Sequence, residues 1–429
     1  MRIWMVKIGE PLPLGPSTRE RLHRTGLASR ILGAAGHQIT WFSSTFSRVE
    51  RANLFDRDTE LAPFPGVRIR LLHSPGYRKS ISLARIRDQG IVARKFAAAA
   101  RAEAPPDLIL CAYPTAELAQ ACTAYGLERD IPVVLDMRDM WPDIIVASVP
   151  APLRWPARML LGPMFRRSRT ACAQATAIIG ITDAFVDWGV QRGERQRTPL
   201  DRAFPLAYGS SELPANLLHE AGLFWDQTGI RAGDPRFTAV FLGTIGHQFE
   251  LETIIRAARN PGVERAGIRV VICGKGDSLD RYRELAGGHP GILFPGWMDP
   301  AQMQVLMQRS QAGLDPLPER ADFLATINNK ATEYLSAGLP VLSSPRMGVL
   351  FELLRREDCG LSFKAGDAEG LAGMLLDLAR DAAARERMSG NALRLFERRF
   401  RAEAVYAELG AHLEEVVRIH GEWRWRARP

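Results

Sequence analysis

Short, largely apolar runs recur along the whole chain, several of them closed by glycine or a charged residue, with stretches of helical periodicity between them. In the first half they fall at residues 3–8, 39–42, 67–72, 107–111, 132–136 and 177–182. In the second half they fall at 237–242, 268–273, 292–297, 313–318 and from Val341 onward. Runs this short read as strands, the fully apolar 132–136 as a central one, and helices between them supply the crossovers that parallel strands need. The expectation is an α/β chain built on parallel sheets. The rhythm breaks once, over 210–234, where Pro214, Gly222, Gly229 and Gly233 read as irregular chain. We therefore expect a first domain over 1–210, a linker over 211–234 and a second domain over 235–403, with 404–429 packing back on the first. A chain of 429 residues, 46% of them hydrophobic, can bury two cores.

Within the first half, the loop after the first run carries Gly9, Pro11, Pro13, Gly15 and Pro16 and cannot be helical. It either lets a ligand approach the backbone or is an ordinary strand-to-helix loop, and it does not match the dinucleotide fingerprint. A helix is expected over 19–35 with Leu22, Leu27, Ile31 and Ala35 facing inward, and Arg19 at its start binds a phosphate or faces solvent. Residues 73–90 read as polar loop or short helix, 91–103 as helix, and 203–209 as a last strand. Helix and strand periodicity leave Asp136-Met137-Arg138-Asp139-Met140-Trp141-Pro142-Asp143 unexplained. Here Arg138 is expected to pair with Asp136, and Asp139 is the favoured reactive group; an ion-paired turn is the plainer reading.

The 56 basic residues against 48 acidic give +8, but arginine is spread along the chain and forms no nucleic-acid stripe. Five cysteines, at 111, 122, 172, 273 and 359, have no metal-ligand spacing and read as buried apolar residues in a reducing compartment. The first residues read as a strand, not as an export signal, and no run of 18 apolar residues occurs, so a cytoplasmic location is expected. Residues 151–170 interleave Leu153, Trp155, Met159, Leu160, Leu161, Met164 and Phe165 with five arginines. That is either a packed surface helix or a peripheral contact with the inner face of a membrane. Trp423 and Trp425 in the basic tail offer a further contact of that kind.

In the second half, Gly243-Thr244-Ile245-Gly246-His247-Gln248 and Gly274-Lys275-Gly276-Asp277 each follow a strand, placing small residues where backbone amides meet a phosphate. His247 reads as a loop residue or hydrogen-bond donor, without partners for a metal. The segment from Asn328 to Leu342 reads as a helix ended by Gly338 and followed by Pro340 and a buried strand. Lys330 would bring positive charge to its start, and Glu333 an acceptor for paired hydroxyls.

Together, Asp136 through Asp143, Phe241 through Gly246, Gly274 through Gly276, Gly296-Trp297 and Asn328 through Val341 resemble family 4 of the GT-B glycosyltransferases, particularly bacterial enzymes of surface-polysaccharide synthesis. The resemblance implies a GT-B fold, two facing Rossmann-like domains with an interdomain cleft. It implies a sugar moved from a nucleotide-sugar donor (UDP or GDP type left open) to a glycan or polyprenyl-diphosphate-linked acceptor. It further implies metal-independent transfer, usually with retention, and no cofactor beyond the donor. Donor contacts would fall to Gly243, Thr244, Gly246, His247, Gly274, Lys275, Gly276, Asn329, Lys330 and Glu333, with Glu333 on the ribose. Gly15, Arg19, Arg138 and Trp141 would lie on the acceptor side, and Asp139 would be catalytic. Two positions depart from the family. Relatives often carry a second Glu where this chain has Ala325, and a basic residue where it has Gln248. A sugar-nucleotide-binding protein without catalysis, and less readily a nucleotide-sugar epimerase, are the alternatives.

Overall fold

The computed structural model describes residues 1–14, 21–48, 50–79, 82–209, 213–246 and 248–426, the side chains of 423–426 excepted. Gly15, Arg19 and His247, with Trp423 and Trp425, therefore lie outside the described side chains. The chain forms two compact units, one of residues 1–205 and 402–429, the other of residues 206–401.

The first unit is built on β1 (Arg2–Val6), β2 (Gln38–Ser44), β3 (Thr59–Phe64), β4 (Val67–Leu72), β5 (Leu108–Tyr113), β6 (Val133–Met137) and β7 (Ala177–Gly180). Their order across the sheet is β3-β4-β2-β1-β5-β6-β7. All neighbours pair parallel except β3 with β4. Every residue of β5, β6 and β7 is buried, as apolar strands covered on both faces must be. Trp4 anchors the core, 5.2 Å edge-on from Phe42 and 5.4 Å stacked on Tyr125. β1 and β5 are neighbours whose chain continuations run to opposite halves of the sheet, so their C-terminal ends flank a crevice.

Three expectations for this unit are corrected. The first helix is Arg24–Ala34, and its buried face is Leu27, Ala28 and Leu32, with Ile31 half-buried and Ala35 exposed. That face packs on the helix Ala402–Arg426, where Gly410 allows close approach: a Cβ there would stand 2.7 Å from Leu32. The second helix starts eight residues early, at Leu83, because Ser82 caps it by accepting from the Arg85 amide and because buried Arg85, Asp88 and Gln89 hide its inner face. Residues 203–209 form no strand, only single bridges at Ala203 and Tyr208. The edge strand β3 had no expectation at all; its residues are half-buried or exposed and give no apolar run.

The second unit repeats the plan with β8 (Thr238–Leu242), β9 (Arg269–Cys273), β10 (Ile292–Gly296), β11 (Ala312–Pro316), β12 (Val341–Ser344) and β13 (Gly360–Ser362). The order is β10-β9-β8-β11-β12-β13, all parallel. In both units the parallel strands, numbered along the chain, lie 3-2-1-4-5-6, the Rossmann order. The irregular reading of 210–234 is overturned by the helix Ala215–Gln227, which buries Trp225 completely and lets its indole donate to the Gln302 carbonyl at 2.8 Å. All five cysteines are buried thiols. No described helix is long and apolar enough to cross a membrane.

Candidate functional site

In the second unit the crevice opens between β8 and β11, and two glycine loops interlock above it. Gly243 and Gly274 have φ of +149° and +146°, values that side chains other than glycine rarely adopt. A Cβ on Gly274 would stand 1.8 Å from the Gly243 carbonyl oxygen, and one on Gly276 would stand 2.1 Å from that of Ile245. The Ile245 amide donates to the Lys275 carbonyl at 3.0 Å, and the Gly274 amide to that of Gly296 at 2.7 Å. The loops are thus one structure, and only hydrogen fits where they touch. Thr244, Gln248 and Lys275 are exposed at its rim. The Lys275 ammonium sits 5.2 Å above the ring of Trp297, which is 61% exposed and presents an aromatic face.

The helix Asn329–Ser336 starts beside these loops. Asn328 caps it, its side-chain oxygen accepting from the Ala331 amide at 2.9 Å while its amide donates to Asp315 at 2.7 Å. Lys330 reaches across the first loop: its ammonium lies 3.4 Å from the centre of the Phe249 ring, and its Cε would be 2.6 Å from a Cβ on Gly243. Glu333 is 3% exposed on the same helix. Tyr334 locks the helix to the sheet, its hydroxyl accepting from the Leu242 amide at 2.9 Å and its ring filling the place a Cβ on Gly313 would occupy. Burial raises the Asp315 carboxyl above its usual range, although Lys330 and the Asn328 hydrogen bond pull it down. Gly243, Thr244, Gly246, Gly274, Lys275, Gly276 and Lys330 are therefore brought to one place, with Asn329 and Glu333 on the helix that delivers Lys330. Ala325 ends the short helix Ala321–Leu324.

In the first unit the corresponding crevice holds a cavity of about 170 Å³ whose walls include Lys7, Arg48, Arg85, Thr115, Arg138, Asp139 and Trp141. Arg138 pairs with Asp136 at 2.7 Å, as expected, but also with Glu10, and donates to the Thr25 hydroxyl at 2.9 Å. Arg24 completes the cluster, donating to Asp136 at 2.8 and 3.1 Å. Burial opposes ionisation of Asp136, yet Arg138 and Arg24 hold its carboxyl down at about 2. Arg138 is thus tied into a buried network and offers the cavity only an edge. Asp139 accepts from the Met140 amide at 2.8 Å, and the Arg85 guanidinium lies over the Trp141 ring, 4.2 Å from its centre. Lys7, Glu10, Arg24 and Arg48 were not singled out in the sequence. Only contact across the sheet reveals them, although Lys7 stands where a strand C-terminus delivers residues to a site. Among the described residues no group of three or more His, Cys, Asp or Glu is arranged to hold a metal ion.

Two Rossmann-like units in one chain, each with its crevice at the strand C-termini, define the GT-B class of fold. Solved structures agree. Sucrose-phosphate synthase from Thermosynechococcus elongatus superposes with a TM-score of 0.69 at 15% identity, covering 97% of this chain and 98% of that one. HepE from Anabaena, in complex with UDP and glucose, gives 0.64 at 15% identity over 97% and 100%. WaaG, a glycosyltransferase involved in lipopolysaccharide biosynthesis, gives 0.61 at 13% over 96% and 98%. The family described as "Glycosyl transferases group 1" matches residues 236–381, within the second unit. No curated protein sequence matches the chain.

Proposed function

We propose that this protein is a glycosyltransferase that moves a sugar from a nucleotide-sugar donor to a glycan or lipid-linked acceptor in cell-surface polysaccharide synthesis, with retention at the anomeric carbon. The observation that carries the reading is the pair of interlocked glycine loops with Lys330 lying across Gly243. Loop amides and a fixed ammonium oppose the charge that a diphosphate leaving group develops, the largest electrostatic demand of such a transfer. Glu333, on the same helix, is assigned to the donor ribose, and the exposed Trp297 face beside Lys275 suits a base. The match of the second unit to the glycosyltransferase group, and the UDP bound by HepE, support a nucleotide donor. Asp139 is assigned to the acceptor hydroxyl or to the cationic character of the reacting sugar.

Membrane contact belongs to the same reading. Leu153, Trp155, Met159 and Leu160 are 55–75% exposed, with exposed Arg154 and Arg158 among them, whereas Met164 is buried. Apolar side chains ringed by arginine match an anionic lipid surface that bears a lipid-linked acceptor. A second reading, donor binding without transfer, is favoured by Ala325, which leaves out an acidic donor contact. Incubation of the protein with UDP- and GDP-sugars and lipid-linked acceptors, followed by mass spectrometry, separates the two. A glycosylated product is expected; donor binding with no transfer or hydrolysis across the panel would favour the second.

A further inference from the structure

The second unit has another recess, at the end of its sheet away from the glycine loops. Its volume is about 620 Å³, and it lies beside the helix Ala215–Gln227, where Asp234 leads into β8 and Arg309 and Gln311 lead into β11. The glycine loops follow the opposite ends of the strands, and the five residues of β8 alone set the two places about 15 Å apart. The proposed transfer makes no use of this recess.

Its walls offer donors, and their acceptors are already taken. Asp234 accepts from the Arg236 amide at 3.0 Å, from the Arg236 guanidinium at 2.9 Å and from Arg269 at 3.1 Å. The hydrogen bond from Arg236, with Arg269 beside it, holds the Asp234 carboxyl well below the usual carboxylate range. The Gln311 carbonyl is spent on the Thr238 amide at 2.7 Å, which leaves its own amide group as a donor. Arg309 is fixed through one nitrogen, Nη1, which donates to Asp226 at 2.7 Å and to the carbonyls of Ile230 at 2.6 Å and Gly222 at 3.3 Å. Its Nε and Nη2 meet no acceptor among the described residues, and the exposed Arg231 on the same wall meets no acid there. Arg231, Arg236, Arg269 and Arg309 thus stand against two carboxylates, Asp226 and Asp234, a local excess of positive charge.

An independent feature keeps the recess open. Gly222 sits inside the helix Ala215–Gln227, where glycine costs about 1 kcal/mol against alanine. A Cβ there would meet one group within 4 Å, the Arg309 Nη2 at 3.3 Å. The missing side chain leaves that nitrogen uncovered, on a guanidinium whose position is already set and loses little freedom on binding. Leu218 and Val305 add an apolar wall.

We propose that this recess is a second ligand site, which binds a small organic phosphate by its anionic group between Arg231, Arg309 and the Gln311 amide. The volume exceeds what a lone phosphate fills, and the remainder of the ligand, a sugar or a nucleoside, lies along Leu218 and Val305. The site does not rest on the glycosyltransferase reading, because none of its residues belongs to the donor loops or to the helix Asn329–Ser336.

The test is calorimetric titration of glucose 6-phosphate and of AMP into the full-length protein, with glucose as the neutral control. At least one of the two phosphates is expected to bind and glucose is not; which one binds tells the sugar from the nucleoside remainder. Arg231→Gln, a change at an exposed position, should weaken that binding by about fivefold or more, and Arg231→Lys should restore part of it. Gly222→Gln, which fills the recess over Arg309, should weaken it by about tenfold or more. Arg231→Gln alone decides the matter if Gly222→Gln disturbs the helix. Lys330→Met, in the donor loops, should leave the affinity unchanged. Failure of both phosphates to bind at millimolar concentration, equal binding of glucose, or indifference to Arg231→Gln would overturn the proposal. So would a loss of binding confined to Lys330→Met, which would return the ligand to the donor loops. Sugar transfer by a protein that binds neither phosphate here would remove this site and leave the enzymatic reading standing.

Discussion

Asp136 holds the first unit's crevice in shape through charge balance. Its carboxylate sits between Arg24 and Arg138 with no exposure, and removing it would take from the buried Arg24 its carboxylate and from Arg138 one of two. Asp136→Ala is expected to destabilise the protein by about 3–5 kcal/mol in denaturant unfolding. The folded-state carboxyl is held at about 2, below its unfolded value near 3.8. Its contribution is therefore complete above the unfolded value and is lost as pH falls through about 2. Lys7 has the opposite sign. Burial, aided by Arg138 and Arg48, lowers its amine to about 8 from an ordinary 10.5. The folded state thus holds its proton less tightly than the unfolded chain, and Lys7 costs stability below pH 8, a cost that fades as pH rises toward 10.5. Lys7→Met should stabilise the protein by about 1–2 kcal/mol at pH 7, discounted for partial exposure, and by little at pH 10.5. Equal effects at both pH values would contradict the assignment. The pairing of Asp136 with Arg138 was legible in sequence because the two are neighbours on one strand end. The partners Arg24 and Glu10 were not, because 112 and 128 residues separate them from the groups they bind.

Among elements, the glycine loops of the second unit are the least tolerant. Gly274→Ala would set a Cβ 1.8 Å from a backbone oxygen at a φ that alanine avoids. We expect a loss of about 2–4 kcal/mol in thermal or denaturant stability together with loss of nucleotide binding. A stable variant with unchanged binding would show that the loops part easily. The exposed patch around Trp155 makes the opposite case: replacing Trp155 and Leu160 by Ser should leave stability within about 0.5 kcal/mol while abolishing flotation with anionic liposomes. Flotation unaffected by the change would remove the membrane contact. Strands buried on both faces could be read directly from their apolar runs. Elements with mixed faces could not. The helix Leu83–Ala102 buries Arg85, Asp88 and Gln89, and β3 lies at an edge with no apolar run. In the helix Ala215–Gln227 only Ala221 and Trp225 are buried.

At the scale of the molecule, two sheets of the same order recur in one chain, and the last helix belongs with the first unit. Tyr406, Leu409, Leu413 and Val416 are buried on that helix, against the face carrying Leu27 and Leu32. Ending the chain at residue 401 should abolish amide-exchange protection over residues 24–34 and leave the strands of the second unit protected. Protection retained over 24–34 would mean that the first unit closes without the helix. The strand-loop rhythm of the sequence announced two α/β units. The assignment of Asp139, Lys330 and Glu333 came from motifs, because the meeting of loops that gives Lys330 its place depends on backbone contacts that no local pattern encodes.

The proposed function requires the second unit to be a nucleotide-sugar site. The direct measurement is calorimetric titration of wild type and Glu333→Ala with the UDP- or GDP-sugar that most raises the melting temperature. A nucleotide-sugar site there predicts saturable one-site binding to wild type and affinity weaker by about tenfold or more in the variant. Equal affinity in the two proteins would contradict it.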